Sequence, residues 1–161
     1  MGPEVPLRLA GPGDSGAVSD LVIAFRDYLE RDLPDDEAIA GFVPGLIDDP
    51  GTEFILAGEP AVGLAQIRYR PSIWTGSDDA WLEDVFVLEE ARGKGIGRLL
   101  TEAAVRQAGR RGCGRIQLES NQANEAAISL YESIGFRASH LPDRWGDRPD
   151  ICMTLELDRA D

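Results

Sequence analysis

VFVLEEARGKGIGR, residues Val85–Arg98, changes character twice over a short span. Val85–Leu88 is β-branched, aromatic and aliphatic, the composition of a strand. Glu89–Ala91 is a polar break, after which Arg92-Gly93-Lys94-Gly95-Ile96-Gly97 opens into the helical run Arg98–Arg111. A strand, a glycine-rich turn and a helix start turn backbone N–H groups and the positive end of the helix dipole toward one point, which suits an anion. A side chain at the glycines would hold a phosphate away from those N–H groups. The stretch therefore predicts a phosphate-bearing ligand at Arg92–Arg98.

The rest of the chain supplies a sheet and helices around it. Val5–Ala10 is a short strand, and Asp14 or Ser15 can cap a helix reaching about Glu30, with Val18, Leu21, Val22, Phe25, Tyr28 and Leu29 near a 3.6-residue period. A weaker helix covers Asp35–Asp48, and Pro44 predicts a break near Gly41–Gly45. Thr52–Ala57 and Ala61–Tyr69 read as strands joined by Gly58-Glu59-Pro60, Pro71–Asp79 as a polar loop, and Ala80–Leu88 as the strand that enters the opening stretch. Arg115–Ser120 is a further strand. Asn124 is a good N-cap for a helix lined by Ala127, Ile128, Tyr131 and Ile134 and closed by Gly135, and Phe136–Ala138 and Ile151–Leu157 are the last strands. The order predicts a mixed α/β sheet with helices on it, and 161 residues predict one domain, 1–161.

Composition narrows the function. At 43% hydrophobic and 28% charged the chain is an ordinary globular one, and its apolar runs fall short of the ~20 residues a membrane span needs. The N-terminus MGPEVPLRLA lacks the basic flank and apolar core of a secretion signal, and the expected location is the cytoplasm. A net charge of −13 argues against nucleic acid. Cys113 and Cys152 stand apart with no metal-ligand spacing, so neither a disulfide framework nor a metal site is expected. Between Arg92 and Arg111, however, six cations face a single acid, Glu102, so the rest of the chain carries −18. A local basic patch on an acidic chain suits a small anionic ligand, although it also describes an ordinary arginine-rich helix face.

Two phosphate-binding fingerprints fail. A dinucleotide GxGxxG beginning at Gly93 needs glycine where Arg98 stands, and nothing matches GxxxxGK followed by Ser or Thr. What remains is Arg92-x-x-Gly95-x-Gly97 between strand and helix. In this the chain resembles the GCN5-related N-acetyltransferases (GNAT), whose acetyl-CoA motif is Gln/Arg-x-x-Gly-x-Gly/Ala in that context. NEAAISLYESIGF, Asn124–Phe136, is similar to that family's next motif, and the element order from Val5 to Leu157 matches its fold. WLEDVFVLEEARGKGIG, Trp81–Gly97, is also similar to the diamine and polyamine acetyltransferases, while Glu89 and Ala91 stand where Pro and Tyr are common.

The resemblance implies a central, mostly antiparallel mixed sheet of about seven strands, splayed at Ala80–Leu88 and flanked by four helices. It implies acetyl transfer from acetyl-CoA to a primary amine by direct attack in a ternary complex. Val85, Phe86 and Val87 would pair with the pantetheine arm, and Arg92, Gly93, Lys94, Gly95, Ile96, Gly97 and Arg98 would hold the pyrophosphate. Asn124 and Ala127 would meet the cofactor arm; read alone, Asn124 is simply a helix cap. Tyr131 would meet the sulfur and protonate the leaving thiolate, whereas by itself it is a core tyrosine beside Ile128 and Ile134. Glu83 stands where family members carry a catalytic glutamate, with a strand-end salt bridge as the alternative, and alternation sets Asp84 on the opposite face. His140 and Trp145 lie in a polar loop, and Trp74 in another. The acceptor would be gripped near Phe25–Glu37 and His140–Asp150. Asp27, Glu30, Asp32, Asp35, Asp36 and Glu37 crowd the first of these, which favours a cationic acceptor. The family also admits a homodimer and, as a competing class, an acyl-CoA sensor without transfer.

Overall fold

The computed structural model describes residues 4–138 and 150–158. In chain order these form β1 (Leu7–Leu9), α1 (Ser15–Tyr28), α2 (Asp36–Asp48), β2 (Thr52–Ala57), β3 (Gly63–Ser72), β4 (Ser77–Val87), α3 (Ile96–Arg110), β5 (Arg115–Asn121), α4 (Glu125–Ile134), β6 (Arg137–Ala138) and β7 (Asp150–Glu156). The strands hydrogen-bond in the order β1-β2-β3-β4-β5-β7-β6. Pairing is antiparallel for β1–β2, β2–β3, β5–β7 and β6–β7 and parallel for β4–β5. This is the expected mixed sheet of seven strands with four helices. Among the described residues no helix is long and apolar enough to cross a membrane. The chain divides into two compact units, Met1–Arg68 with Asp84–Ala104, and Tyr69–Glu83 with Val105–Asp161.

In the first unit one core joins two helices to the sheet. Val18 and Leu21 of α1, Ile39 and Val43 of α2, Phe54 and Leu56 of β2 and Leu64 of β3 are all buried together. Asp35 caps α2, its Oδ1 accepting from the Ala38 N–H at 2.8 Å. The expected break at Pro44 does not occur, and α2 runs through it. Proline removes one i→i−4 bond, but the helix draws its stability mainly from the packed face carrying Ile39 and Val43, which offsets that loss. Asp14 sits at the N-cap of α1 without a side-chain cap bond. Its Oδ2 instead accepts from Arg8 at 2.6 Å and from the Gly11 N–H at 2.8 Å, because a charged partner outcompetes the orphan helix N–H groups.

On the other side of β3, Gly63 meets the start of α3. A Cβ at Gly63 would lie 3.1 Å from Leu100 Cδ1, 3.1 Å from the Phe86 carbonyl oxygen and 3.4 Å from Ile96 Cγ2. Ile96 and Leu100 are buried, so the first turn of α3 rests directly on the strand backbone. The helix starts at Ile96, two residues before the expected Arg98, since that burial draws Ile96 into helical geometry.

The second unit holds the β3–β4 hairpin end and the β5–β7–β6 ladder. Where a loop over Pro71–Asp79 was expected, β3 runs to Ser72 and β4 starts at Ser77, leaving a tight turn with Gly76 N–H donating to the Ser72 carbonyl. Buried polar bonds hold this end. The Asp79 carboxylate, 4% exposed, takes the Thr75 hydroxyl at 2.8 Å and Arg115 Nε at 2.8 Å, while Ser77 Oγ accepts from the Gly114 N–H. Ile116, Leu118, Met153 and Phe136 form the apolar interior. The β4–β5 ladder covers only Asp79–Trp81 against Arg115–Gln117, although β5 continues to Asn121. Asp79→Ala removes the buried acceptor of both Thr75 and Arg115, the latter 26% exposed and able to reach water, so it should lower unfolding free energy by about 2 kcal/mol, read from urea denaturation. Conversely, Arg98→Ala, which removes an exposed pair with Glu102, should cost under about 0.5 kcal/mol.

Candidate functional site

The loop between β4 and α3 is built on a short 3-10 turn. Ala91 N–H donates to the Leu88 carbonyl and Arg92 N–H to the Glu89 carbonyl, at 2.9 and 3.2 Å. Gly93 and Gly95 then adopt φ of +78° and +79°, a left-handed conformation that a side chain strains. These two residues turn the chain outward and back, so Arg92–Gly95 is exposed while Ile96 is buried. Leu99 N–H closes the first helical bond on Gly95, and the Thr101 hydroxyl donates to the Gly97 carbonyl at 2.8 Å. The N–H groups of a helix's first turn have no intrahelical acceptors. A Cβ placed at Gly93, Gly95 or Gly97 would meet nothing within 4 Å, so open space lies over the loop. A turn of this shape at a helix start can hold a phosphate or pyrophosphate.

Arg92 faces inward. Its Nε donates to the Val87 carbonyl at 2.9 Å, and its guanidinium carbon lies 4.3 Å from the Tyr28 ring centroid and 5.5 Å from that of Phe86. Phe25 stacks on Phe86 at 4.9 Å. Backbone N–H and Nε of Arg92 are thus committed within the protein, which leaves Gly93, Lys94, Gly95, Gly97 and Arg98 as the loop's more exposed part. Tyr28 is the partner that sequence reading missed: its helical period marked it as core, and it is exposed on one side and covered by Arg92 on the other.

Along β4 the expected alternation holds. Phe86 is buried, Asp84 is half-buried on the same face, and Glu83 is exposed on the opposite one. Asp84 and Phe86 line a cavity of 380 Å³ within the first unit, together with Phe25 of α1, Phe42 of α2, Phe54 of β2 and Gln66 of β3. Phe54 and Gln66 are register partners, which puts both side chains on that face. The presence of Asp84 here was the signal left unused: in-out alternation sets it apart from Glu83, but nothing in the sequence says that its face borders a void.

In the second unit, Asn124 caps α4 as expected, with Oδ1 accepting from the Ala127 N–H at 3.1 Å. That bond uses the Ala127 donor, and Asn124 itself is exposed. Tyr131 lies edge-on to Phe136 at 5.9 Å between centroids, and burial pushes its phenol above the ordinary value. It is therefore a proton-bearing group throughout the physiological range. Trp74 and its neighbour Ile73 are almost fully exposed at the hairpin tip, while His140 and Trp145 lie outside the described residues.

The family model described as the acetyltransferase (GNAT) family matches residues 18–136. A thialysine N-epsilon-acetyltransferase of Sus scrofa is 29% identical over 154 residues, covering 88% of this chain and 89% of the relative. A streptothricin acetyltransferase of Streptomyces lavendulae is 29% identical over 157 residues, covering 80% and 79%. Among solved structures, yncA from Salmonella typhimurium, determined with its cofactor acetyl-CoA, superposes with a TM-score of 0.72 at 20% identity over 99% of this chain and 97% of its own.

Two measurements test the loop and the phenol. Gly97 has ordinary backbone geometry and open space, so Gly97→Val should leave the thermal midpoint within about 2 °C of the parent, since valine's helix propensity is no worse than glycine's. A phosphate ligand needs that space, and titration calorimetry should show CoA affinity falling at least about tenfold, or roughly 1.4 kcal/mol. The phenolate absorbance transition of Tyr131, identified by its loss in Tyr131→Phe, should lie above ~10, the free-tyrosine value. Since the folded value exceeds the unfolded one, this group's contribution to stability is intact below ~10 and is lost as pH rises through the folded value.

Proposed function

This chain belongs to the acetyltransferase (GNAT) family, and we propose that residues 1–161 act as one N-acetyltransferase domain that moves acetyl from acetyl-CoA to a primary amine by direct attack in a ternary complex. The observation that carries this reading is the left-handed Gly93–Gly95 turn leading into α3 beneath open space. Its shape and outward donors fit a pyrophosphate, and the exposed Lys94 adds a positive charge beside it. The relatives named for acetylating thialysine and streptothricin support an amine as acceptor.

Bound acetyl-CoA supplies the activated thioester carbonyl that the amine attacks. In our reading the N–H groups of Gly93–Arg98 hold the pyrophosphate, and the main chain of Val85, Phe86 and Val87 takes the pantetheine arm. The extended main chain of β4, which runs to Val87, supports the latter, since an extended arm can pair with a strand. The Asn124 amide donates to the same arm while its Oδ1 keeps the α4 cap, and Ala127 packs against it.

An ammonium cannot attack a carbonyl, so Glu83, exposed at the middle of β4, takes the proton from the incoming amine directly or through water. Tyr131 Oη holds the proton that the departing sulfur needs, and its burial keeps the phenol neutral for that task.

General acid and base groups contribute roughly 10²–10⁴-fold, while positioning supplies the larger part of the barrier reduction. Glu83→Gln and Tyr131→Phe should each lower kcat within that range, leave detectable activity, and keep CoA affinity within about twofold. The assay is thiol release from acetyl-CoA with a panel of primary amines, with the acetylated product confirmed by mass. Unchanged turnover in both variants would remove these two roles and leave the cofactor loop standing. Binding of CoA without thiol release across the panel would instead indicate the sensor.

A further inference from the structure

We infer that the cavity between α1, α2 and the sheet is a second ligand site, separate from acetyl transfer, for an uncharged aromatic molecule carrying one carboxamide or hydroxyl group.

The rings come first. The chain has five phenylalanines, and four of them, Phe25, Phe42, Phe54 and Phe86, line this one 380 Å³ space. They arrive from four elements, α1, α2, β2 and β4, so tertiary packing and not a run of sequence brings them together. Close packing leaves few voids larger than a water molecule, and large rings ordinarily fill such space themselves. The gap left among these rings instead falls within the size range of small-molecule pockets. At about 30 Å³ for each water-sized group it admits roughly a dozen non-hydrogen atoms, which is a substituted ring. Pro34, Ala38 and Phe42 are the exposed part of the lining and mark its entrance, with Ile39, Val43 and Phe54 buried beneath. Phe42 is 69% exposed, and a bound ring would take its face out of water.

Polarity comes second. Only Gln66 and Asp84 bring polar side chains to the lining. Asp84 already carries an interaction within the protein, so it is not held open for a ligand. Gln66 is half-buried on β3, and its register partner Phe54 sets a ring on the same face. A carboxamide both donates and accepts, and it matches another carboxamide or a hydroxyl with no charge involved. An ammonium or carboxylate entering among the rings would lose hydration without an uncommitted counter-charge.

Placement comes third. Phe25 and Pro34 lie in the stretch that the resemblance assigns to the acceptor, yet their cavity borders the Phe86 face of β4, opposite Glu83. An amine held there could not pass its proton to that carboxylate. No residue of the Glu89–Arg98 loop lines the space either, so its occupant is neither the reacting amine nor the cofactor's pyrophosphate.

Phenylacetamide is the probe, followed by ligand-observed NMR and titration calorimetry on the cofactor-free protein. It should bind at least about tenfold more tightly than phenylacetate, phenethylammonium or acetamide, a difference of roughly 1.4 kcal/mol. Gln66→Leu removes the hydrogen-bonding group at similar volume, and Ala38→Phe fills the cavity from an exposed helix position. Each should weaken phenylacetamide binding at least about fivefold, the scale of one hydrogen bond or of lost space. CoA affinity should stay within about twofold in both variants, which also reports that they are folded. Saturating acetyl-CoA should leave the affinity for phenylacetamide within about twofold, and phenylacetamide should do the same to KM for the best amine of the turnover panel. Four results would overturn the second site: tighter binding of phenethylammonium or phenylacetate, displacement by acetyl-CoA, a competitive rise in the amine's KM, or equal binding by the parent and both variants. So would the absence of phenylacetamide binding at about 10 mM, since ten well-placed atoms suffice for that affinity. The binding readout stands apart from turnover, so failure of acetyl transfer leaves this assignment intact and failure of the site leaves acetyl transfer intact.

Discussion

The contact on which the first unit depends is the seat of α3 on β3. Ile96 and Leu100 press onto the strand at the one residue that has no side chain, Gly63. The interval between β4 and α3 is thereby fixed at both ends: Leu88 is tied to Val62 by a 2.8 Å backbone bond, and Ile96 is tied by burial. The residues between them must reverse direction in little space, and Gly93 and Gly95 adopt the left-handed geometry that allows it. The exposed cradle is thus a consequence of tight packing beneath it. A larger residue at Gly63 would move the helix start and with it every donor that the helix start presents.

Charge is distributed by the same logic. An acidic protein with −13 at neutral pH repels anions at long range, so an anion site has to be local and dipolar. The cations between Arg92 and Arg111 are not simply pooled for a ligand. Arg92 is spread over Tyr28 and Phe86, Arg98 pairs with Glu102, and Arg111 lies over the Tyr69 ring. Backbone N–H groups and the helix dipole then carry most of the attraction, and those cannot be titrated as side chains can.

The parts of the fold that were legible in the sequence are those set by local chemistry. Glycine punctuation, the Asn124 cap, alternation along β4 and the order of strands and helices all follow from residue types and spacing. The errors have tertiary causes. Pro44 reads as a break until Ile39 and Val43 are seen packed under it, and Pro71–Asp79 reads as a loop until Asp79 is seen holding Arg115 and Thr75 across the hairpin end. For the site, the glycine turn was visible because it needs particular φ values. The inward turn of Arg92 and the void beside Asp84 were hidden because they depend on which faces of α1, α2 and β4 meet, and no spacing rule encodes that. The comparison with known proteins shows the family.

The cavity wall has a bearing on how such a protein changes over generations. Its lining is drawn from α1, α2, β2, β3 and β4, and no residue of the Glu89–Arg98 loop contributes. Substitutions at Phe42, Ala38 or Gln66 can therefore reshape the cavity while the loop keeps its geometry. Phe86 is the exception, because its ring both walls the cavity and supports Arg92. Change is cheap at most positions around the void and constrained at that one, where a single ring serves both the cavity and the loop.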